Sequence, residues 1–209
     1  MKAFIDMLIE RHGHKIYDTL KNARIGIAGL GGLGSHVATS LTRMGVGEIV
    51  GADFDIVEIS NIHRQCYFLD QVGMKKCEAL SETLSRISPL TNFTLLDTTI
   101  DTHNVKSLFH GCDVIIEAFD APSAKAMLFD AWQTHFPEIF YIGSSGLAGY
   151  TDEPPIAIKQ LGGNAYIVGD MISEISENAG LMAGRVGIAA SMQANLAIKL
   201  IIAKNLKID

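Results

Sequence analysis

Residues 24–45, "RIGIAGLGGLGSHVATSLTRMG", decide the fold. A short apolar run that ends in glycine predicts a buried strand, and the segment after the glycines has helical character up to Gly45. Between the two elements, Gly29, Gly31 and Gly34 form the pattern G-x-G-x-x-G. The first glycine permits a tight turn, the second lets the backbone approach a phosphate, and the third lets helix and strand touch. Since a helix N-terminus also offers free N–H groups, this unit is a candidate phosphate-binding loop.

Strand and helix signals continue to alternate after this unit, which predicts an α/β, Rossmann-like fold with a mainly parallel sheet and helices on both faces. Ligands of such sheets bind beyond the carboxyl ends of the strands. The further predicted strands are "EIVGAD", "NFTLLDTTI", "DVIIEAF" and "IFYIGSS", and the further helices lie near 74–87, near 104–109, in "APSAKAMLFDAWQTHF" and at 184–204.

Two segments stand apart from this alternation. Residues 1–20 predict a helical segment that is broken near Gly13, and residues 147–184 predict a crossover region with a hairpin or an irregular excursion. The length of 209 residues fits one domain, so we expect residues 1–209 to form a single unit around one core.

Composition excludes several classes of protein. The net charge is −6 and no run of Lys or Arg occurs, which argues against a nucleic-acid partner. The N-terminal residues do not resemble a secretory signal, and the apolar stretch 186–203 carries polar residues, so it predicts a core helix and no membrane partner. The three cysteines show no C-x-x-C spacing, which argues against a disulfide framework or structural zinc and predicts a cytoplasmic protein.

Charged residues near the predicted loop narrow the choice of ligand. Asp53 follows the second strand about 20 residues after the glycines, where a carboxylate can accept hydrogen bonds from a ribose. A glycine loop with such an acid favours a nucleotide but leaves its identity open, and taken alone the pattern would favour NAD or FAD. Arg64 and Lys76 are suited to negative charge that develops on a leaving pyrophosphate. Asp120, at the end of another strand, is a candidate magnesium ligand.

The sequence resembles the ThiF/MoeB/HesA family, the bacterial relatives of ubiquitin-activating enzymes. The resemblance spans nearly the whole chain, and "SGLAGY" with "GLMAGRVG" is most similar to the shorter, zinc-free ThiF family 2. The segment containing "SNIHRQ" is more specific than the glycine loop. In chain order the resemblance is carried by "GIAGLGGLGS", "DFDIVEISNIHRQCYF", "VGMKK", "EAFDAPSAK" and "GLMAGRVGIAASMQANLAIKL".

This resemblance implies an ATP-dependent adenylyltransferase. The acceptor would be the C-terminal glycine of a small ubiquitin-like sulfur-carrier protein ending in Gly-Gly, similar to ThiS, in thiamine biosynthesis. The resemblance also implies a homodimer. The implied residues are Gly29, Gly31, Gly32 and Gly34 at the nucleotide, Asp53 at the ribose with Asp55 in support, Asn61, Arg64 and Lys76 at the phosphates, Asp120 at Mg²⁺, and Arg11 reaching the partner subunit's site in trans.

The sequence departs from the family pattern in three places. The C-x-x-C pairs that hold zinc in many relatives are missing, so we expect ATP and Mg²⁺ but no zinc. Residues 145–184 contain no cysteine that could capture the activated carrier, so we expect adenylation without a covalent link to this chain. Ala121 and Lys125 stand where relatives usually have Asn and Arg.

Other readings stay open on the sequence alone. The same chemistry could act on a molybdopterin-type carrier, a peptide or a modified tRNA base. The glycine loop and Asp53 by themselves also fit an NAD-dependent oxidoreductase or a nucleotide-binding regulatory module without turnover. The sequence identifies neither the carrier nor the sulfur donor.

Overall fold

A computed structural model describes residues 2–150, 153–176 and 179–207. Its seven strands form one sheet in the order β3-β2-β1-β4-β5-β7-β6. Neighbouring strands are parallel except β6 and β7, which are antiparallel. The strands are β1 (Arg24–Ala28), β2 (Glu48–Ala52), β3 (Asn92–Leu96), β4 (Val114–Glu117), β5 (Phe140–Ser144), β6 (Ala157–Gly162) and β7 (Ala165–Gly169). The predicted mainly parallel α/β architecture is confirmed.

The described residues also form seven α-helices and two short 3-10 turns. The first two helices are separated at Gly13, whose φ of +83° an L side chain rarely adopts, so the predicted break is confirmed. The helices are α1 (Lys2–His12), α2 (His14–Lys21), α3 (Gly32–Arg43), α4 (Lys76–Ile87), α5 (Val105–Leu108), α6 (Pro122–His135) and α7 (Ala183–Leu206), with 3-10 turns at Ile59–Asn61 and Leu69–Gln71.

Helices cover both faces of the sheet. On one face, Leu41 of α3, Leu80 of α4 and Ala194 of α7 belong to one buried apolar cluster. On the other face, Leu108 of α5 and Trp132 of α6 belong to a second cluster. The strands between the two clusters are therefore apolar on both sides, as expected for a parallel sheet.

The last helix, α7, is long and apolar enough to span a membrane by length and composition. It packs against α3 and the sheet, and the residues of its inner side, including Val186, Ala190 and Leu196, are buried. The predicted core helix is confirmed.

The crossover region contains more regular structure than its glycines and prolines indicate. Residues 157–169 form the predicted hairpin, and its second strand, β7, pairs in parallel with β5. A run of five residues, "AYIVG", becomes a sheet strand because the edge of β5 is available to it, and this partner lies outside the local sequence.

Candidate active site

A cavity of about 1130 Å³ opens at the carboxyl ends of the parallel strands, where the chain order reverses between β1 and β4. It brings together most of the residues predicted for the site. Gly34 and Arg11 are not part of its lining. Those that line it are Gly29, Gly31, Gly32, Asp53, Asp55, Asn61, Arg64, Lys76 and Asp120.

The glycine loop has the geometry expected from its spacing. Gly29 has a φ of +92°, and a Cβ there would lie 3.0 Å from the carbonyl oxygen of Ala118. Gly34 lies outside the cavity because it packs α3 onto the loop: a Cβ at this position would overlap the carbonyl group of Gly29. Since α3 begins at Gly32, its free N–H groups lie at the cavity wall.

Asp53 anchors the glycine loop. Its Oδ2 accepts a hydrogen bond from the backbone N–H of Leu30 at 2.7 Å, and its Oδ1 accepts one from the N–H of Asp55 at 2.9 Å. Each carboxylate oxygen can accept two hydrogen bonds, so the predicted contact with a ribose is compatible with this arrangement. The anchoring contact was not part of the sequence prediction, because nothing in the sequence shows that residues 30 and 53 meet.

Lys76 lies at the start of α4 and points into the cavity wall. Its Nζ is 2.6 Å from Oδ2 of Asp55 and 3.7 Å from Oδ1 of Asp53, and only 6% of its side chain is exposed. Two carboxylates thus offset the cost of burying the ammonium group. The ion pair holds Asp55 against Lys76, and the predicted supporting role of Asp55 at the nucleotide stays a prediction.

The 3-10 turn at Ile59–Asn61 presents the phosphate candidates. Oδ1 of buried Asn61 accepts a hydrogen bond from the N–H of Glu58 at 3.0 Å, which fixes the turn. The guanidinium of half-buried Arg64 donates to the carbonyl oxygen of Ser60 at 3.1 Å, leaving most of its five donors available.

Gln65 also lines the cavity, although sequence reasoning did not single it out. It is buried, and its Oε1 has no hydrogen-bond partner among the described residues. A buried polar atom without a partner is costly, so a bound ligand or water at this wall would satisfy it.

Asp120 is exposed and lies in the loop 118–121 that joins β4 to α6. In the part of the chain that the structure describes, no group of three or more His, Cys, Asp or Glu side chains could hold a metal ion. Mg²⁺ in nucleotide sites needs few protein ligands, since one or two carboxylates combine with phosphate oxygens and water. A single cavity-facing carboxylate therefore fits a magnesium ion that arrives with a nucleotide.

Glu117 and Lys125 form a second ion pair that sequence reasoning missed. Nζ of Lys125 lies 2.8 Å and 3.0 Å from the two carboxylate oxygens of Glu117, whose side chain is 2% exposed. Burial raises the pKa of Glu117, although Lys125 and two backbone N–H groups oppose that shift. The available signal was a carboxylate at the end of an otherwise apolar strand, followed by a lysine eight residues later.

The opposite wall of the cavity includes residues 144–148 and 173–175. Behind it, Asp170 accepts hydrogen bonds from the N–H groups of Ile172 and Ser173 and pairs with Arg185 at 2.6 Å. Burial tends to raise the pKa of Asp170, but these backbone donors and the guanidinium together hold it below its usual range.

The three free cysteines do not form part of the cavity lining. Cys66 is half-buried and its pKa is raised by burial, and burial raises the pKa of Cys77 and of Cys112 to about 11. Thiols of this kind are predominantly protonated at neutral pH, as expected for packing residues.

The glycine loop, the acids at the strand ends and the cations beside them define a nucleotide-binding α/β protein. The ThiF family model matches residues 6–208, and the chain therefore belongs to the ThiF family. The resemblance seen in the sequence motifs is confirmed.

Two of the similar proteins have names that indicate different acceptors. The molybdopterin-synthase adenylyltransferase of Salmonella typhimurium is 30% identical over 193 residues, which is 88% of this chain and 75% of that protein. The tRNA threonylcarbamoyladenosine dehydratase of Escherichia coli is 31% identical over 152 residues, or 72% of this chain and 56% of the dehydratase. A crystal structure of the same dehydratase in complex with ATP matches the fold with a TM-score of 0.88 at 22% identity, covering 100% of this chain and 97% of that one.

Proposed function

We propose that this protein is an ATP-dependent adenylyltransferase that activates the C-terminal glycine of a small ubiquitin-like sulfur carrier similar to ThiS, in thiamine biosynthesis. One observation carries the proposal: Arg64 and Lys76 line the same cavity as the glycine loop. Two cations at the phosphate end of a nucleotide site suit the release of pyrophosphate.

The proposed reaction is a displacement at phosphorus. A carboxylate oxygen of the carrier attacks the α-phosphorus of ATP, the bond to the bridging oxygen between the α- and β-phosphates breaks, and pyrophosphate leaves with the electron pair. Arg64 and Lys76 stabilise the charge gained by the leaving group, and the N–H groups at the start of α3 contact the phosphates. Asp53 holds the ribose, Asp55 keeps Lys76 in place, and Asn61 presents its amide to the phosphates.

Asp120 would hold Mg²⁺ against the phosphates, and the ion would neutralise charge on the leaving group. The carboxylate is exposed to the cavity, so it can reach a metal ion that the nucleotide brings.

A protein acceptor is favoured over RNA by charge. The chain carries a net charge of −6, whereas binding a phosphate backbone relies on a basic surface. Of the two named relatives, the one that covers more of this chain is named for activating a protein, molybdopterin synthase. The dehydratase relative is named for a modified tRNA base, so the experiment must also test RNA as the alternative acceptor.

The active assembly is proposed to be a homodimer. Three large apolar side chains beside the site are more than half exposed: Ile59 at 67%, Phe68 at 51% and Leu69 at 68%. Burying such side chains at a subunit interface is favourable. We further propose that Arg11, which does not line its own cavity, contacts the partner subunit's site in this dimer.

The decisive experiment is ATP–pyrophosphate exchange with purified candidate carriers. We expect exchange that requires Mg²⁺ and a ThiS-like carrier ending in Gly-Gly, and none with the same carrier lacking its last glycine. Exchange with a molybdopterin-type carrier alone would move the protein to another pathway. Exchange that responds to tRNA, or tight binding of NAD in place of ATP, would overturn the proposal.

A further inference from the structure

The loop 118–121 between β4 and α6 is held from both of its ends. Glu117 precedes the loop as the last residue of β4, and Lys125 follows it in the first turn of α6. Nζ of Lys125 lies 2.8 Å from Oε1 of Glu117, so this ion pair joins the two ends of the loop that carries Asp120. The contact therefore restricts the movement of the loop at both of its ends.

The carboxylate of Glu117 also binds backbone groups around this ion pair. Its Oε1 accepts a hydrogen bond from the N–H of Phe119 at 2.7 Å, and its Oε2 accepts one from the N–H of Ser144 at 3.2 Å. Nζ of Lys125 donates to Oγ of Ser144 at 2.9 Å. The pair therefore joins β4, β5 and α6 to the residue next to Asp120.

The same loop touches the glycine loop. The N–H of Ala118 donates to the carbonyl oxygen of Ala28 at 2.9 Å, and a Cβ at Gly29 would lie 3.4 Å from the ring of Phe119. The carbonyl oxygen of Glu117 is itself bonded to Nε2 of the buried Gln193 on α7 at 3.1 Å. A shift of the loop would thus change where Asp120 lies relative to a nucleotide on the glycine loop.

A need for stability alone does not explain a charged pair here. Burying a carboxylate is costly, and apolar residues of similar size often stabilise a protein as well as or better than a buried ion pair. A pair that makes several hydrogen bonds at the edge of the cavity is suited to fixing the geometry of a functional group.

We propose that Glu117 and Lys125 are positioning residues that aim Asp120 at the metal–nucleotide complex. Lys125 lines the cavity, but its Nζ is bonded to Glu117 and Ser144, so we take the pair to act through the loop 118–121 and not by contact with the reacting atoms. The inference rests on the proposed function, since it takes Asp120 to act on bound nucleotide.

The test is a double-mutant cycle on pyrophosphate exchange with Lys125→Met, Asp120→Ala and the combined variant. We expect Lys125→Met to lower kcat by about 10- to 100-fold with the KM for ATP changed by less than about threefold. If Lys125 acts through Asp120, the combined variant should be no slower than Asp120→Ala alone. Two losses that multiply would overturn the inference.

Matched variants separate positioning from folding. Lys125→Arg keeps the charge and should remain within about threefold of wild type, as should Lys106→Met, which removes an exposed lysine on α5. Circular dichroism and thermal melting report whether Lys125→Met is folded. If it is not, Glu117→Gln, which keeps an acceptor for the N–H of Phe119, replaces it in the cycle.

A second measurement does not need an acceptor, so it stays informative if the proposed function fails. Calorimetry gives the affinity for ATP with and without Mg²⁺. We expect Lys125→Met to reduce the gain in affinity that Mg²⁺ provides by about tenfold while leaving metal-free binding unchanged, and Asp120→Ala to abolish the gain. A gain unaffected by Lys125→Met, or no gain in the wild type, would overturn the inference.

Discussion

The two walls of the cavity are built differently. The first wall, formed by residues within 29–33, residues within 53–65 and Lys76, presents charged side chains and helix N–H groups to the ligand. The second wall, formed by residues 144–148 and 173–175, is mostly uncharged at the cavity, and its ion pair between Asp170 and Arg185 lies behind it. The loop carrying Asp120 lies between the walls, since β4 lies between β1 and β5. The first wall is therefore suited to catalysis through its charged groups, and the second wall is suited to fitting the shape of the ligand.

The largest expected effect falls on the loop between the walls. Replacing Asp120 by Ala should lower adenylate formation in the pyrophosphate exchange assay by about a thousandfold, to a residual rate that is still measurable, because magnesium would lose its protein ligand. The fold should be unaffected, since Asp120 is exposed. Asp18→Ala, which removes an exposed carboxylate on α2, is the matched control. Near-normal exchange in the Asp120 variant would remove this residue from the mechanism.

A charge on the first wall should matter to the rate more than to binding. Arg64→Ala should lower turnover about a hundredfold, equivalent to about 3 kcal/mol, because its contact is to the departing phosphates. The affinity for AMP, which lacks those phosphates, should change little. Arg86→Ala, at an exposed position near the end of α4, serves as the control. An equal loss of AMP binding and turnover would show that Arg64 contacts the part of the nucleotide that remains.

The first wall could be predicted from the sequence because its chemistry is local. Glycine spacing, an acid after the second strand and the "SNIHRQ" segment each carry their meaning within a few residues. Gln65 was overlooked although it follows Arg64 directly, because a glutamine reveals its burial and its unpaired Oε1 only in the fold. The presence of the sheet and its helices followed from periodicity in the same way.

The second wall could not be predicted, because its contacts join residues that are distant in the chain. Asp170 pairs with Arg185 and accepts the N–H of Ile172, while a Cβ at Gly146 would overlap its carboxylate. The sequence around Asp170 gives no sign of its contact with Gly146, and the sequence around Gly146 gives no sign of Asp170. The hairpin itself was predicted, but the pairing of its strand β7 with β5 was not, because that pairing depends on the assembled sheet.

Breaking the second wall should change stability and its pH dependence. Asp170→Asn keeps an oxygen for the backbone donors but removes the charge that Arg185 faces, which should cost about 3 kcal/mol at neutral pH. Because the pKa of Asp170 is lowered in the folded protein, its contribution is present above the usual aspartate range and is lost as the pH falls through the lowered value.

The measurement for Asp170 is denaturant unfolding of wild type and variant from pH 7 down to pH 3. We expect the difference in unfolding free energy to be constant from pH 7 to about pH 5 and to shrink below it. A difference that stays constant down to pH 3 would show that the ion pair is not what the variant lost.

The smallest effect is expected at the three cysteines, of which Cys66 and Cys77 lie near the first wall in the sequence, because none of them lines the cavity. Cys77 is behind the wall: its Sγ donates to the carbonyl oxygens of Leu96 and Asp53, and its pKa is raised to about 11. Cys66 follows Gln65, but its backbone N–H donates a hydrogen bond to Oγ of Ser35 on α3. Because none is a thiolate at neutral pH, replacing Cys66, Cys77 and Cys112 by Ser or Ala should leave adenylation within about threefold of wild type.

Single-turnover adenylate formation and thermal melting of each variant separate an effect on the reaction from an effect on packing. A folded Cys66→Ser variant that binds ATP but forms no adenylate would place a thiol in the reaction. The first wall would then contribute more than the charges and N–H groups described above.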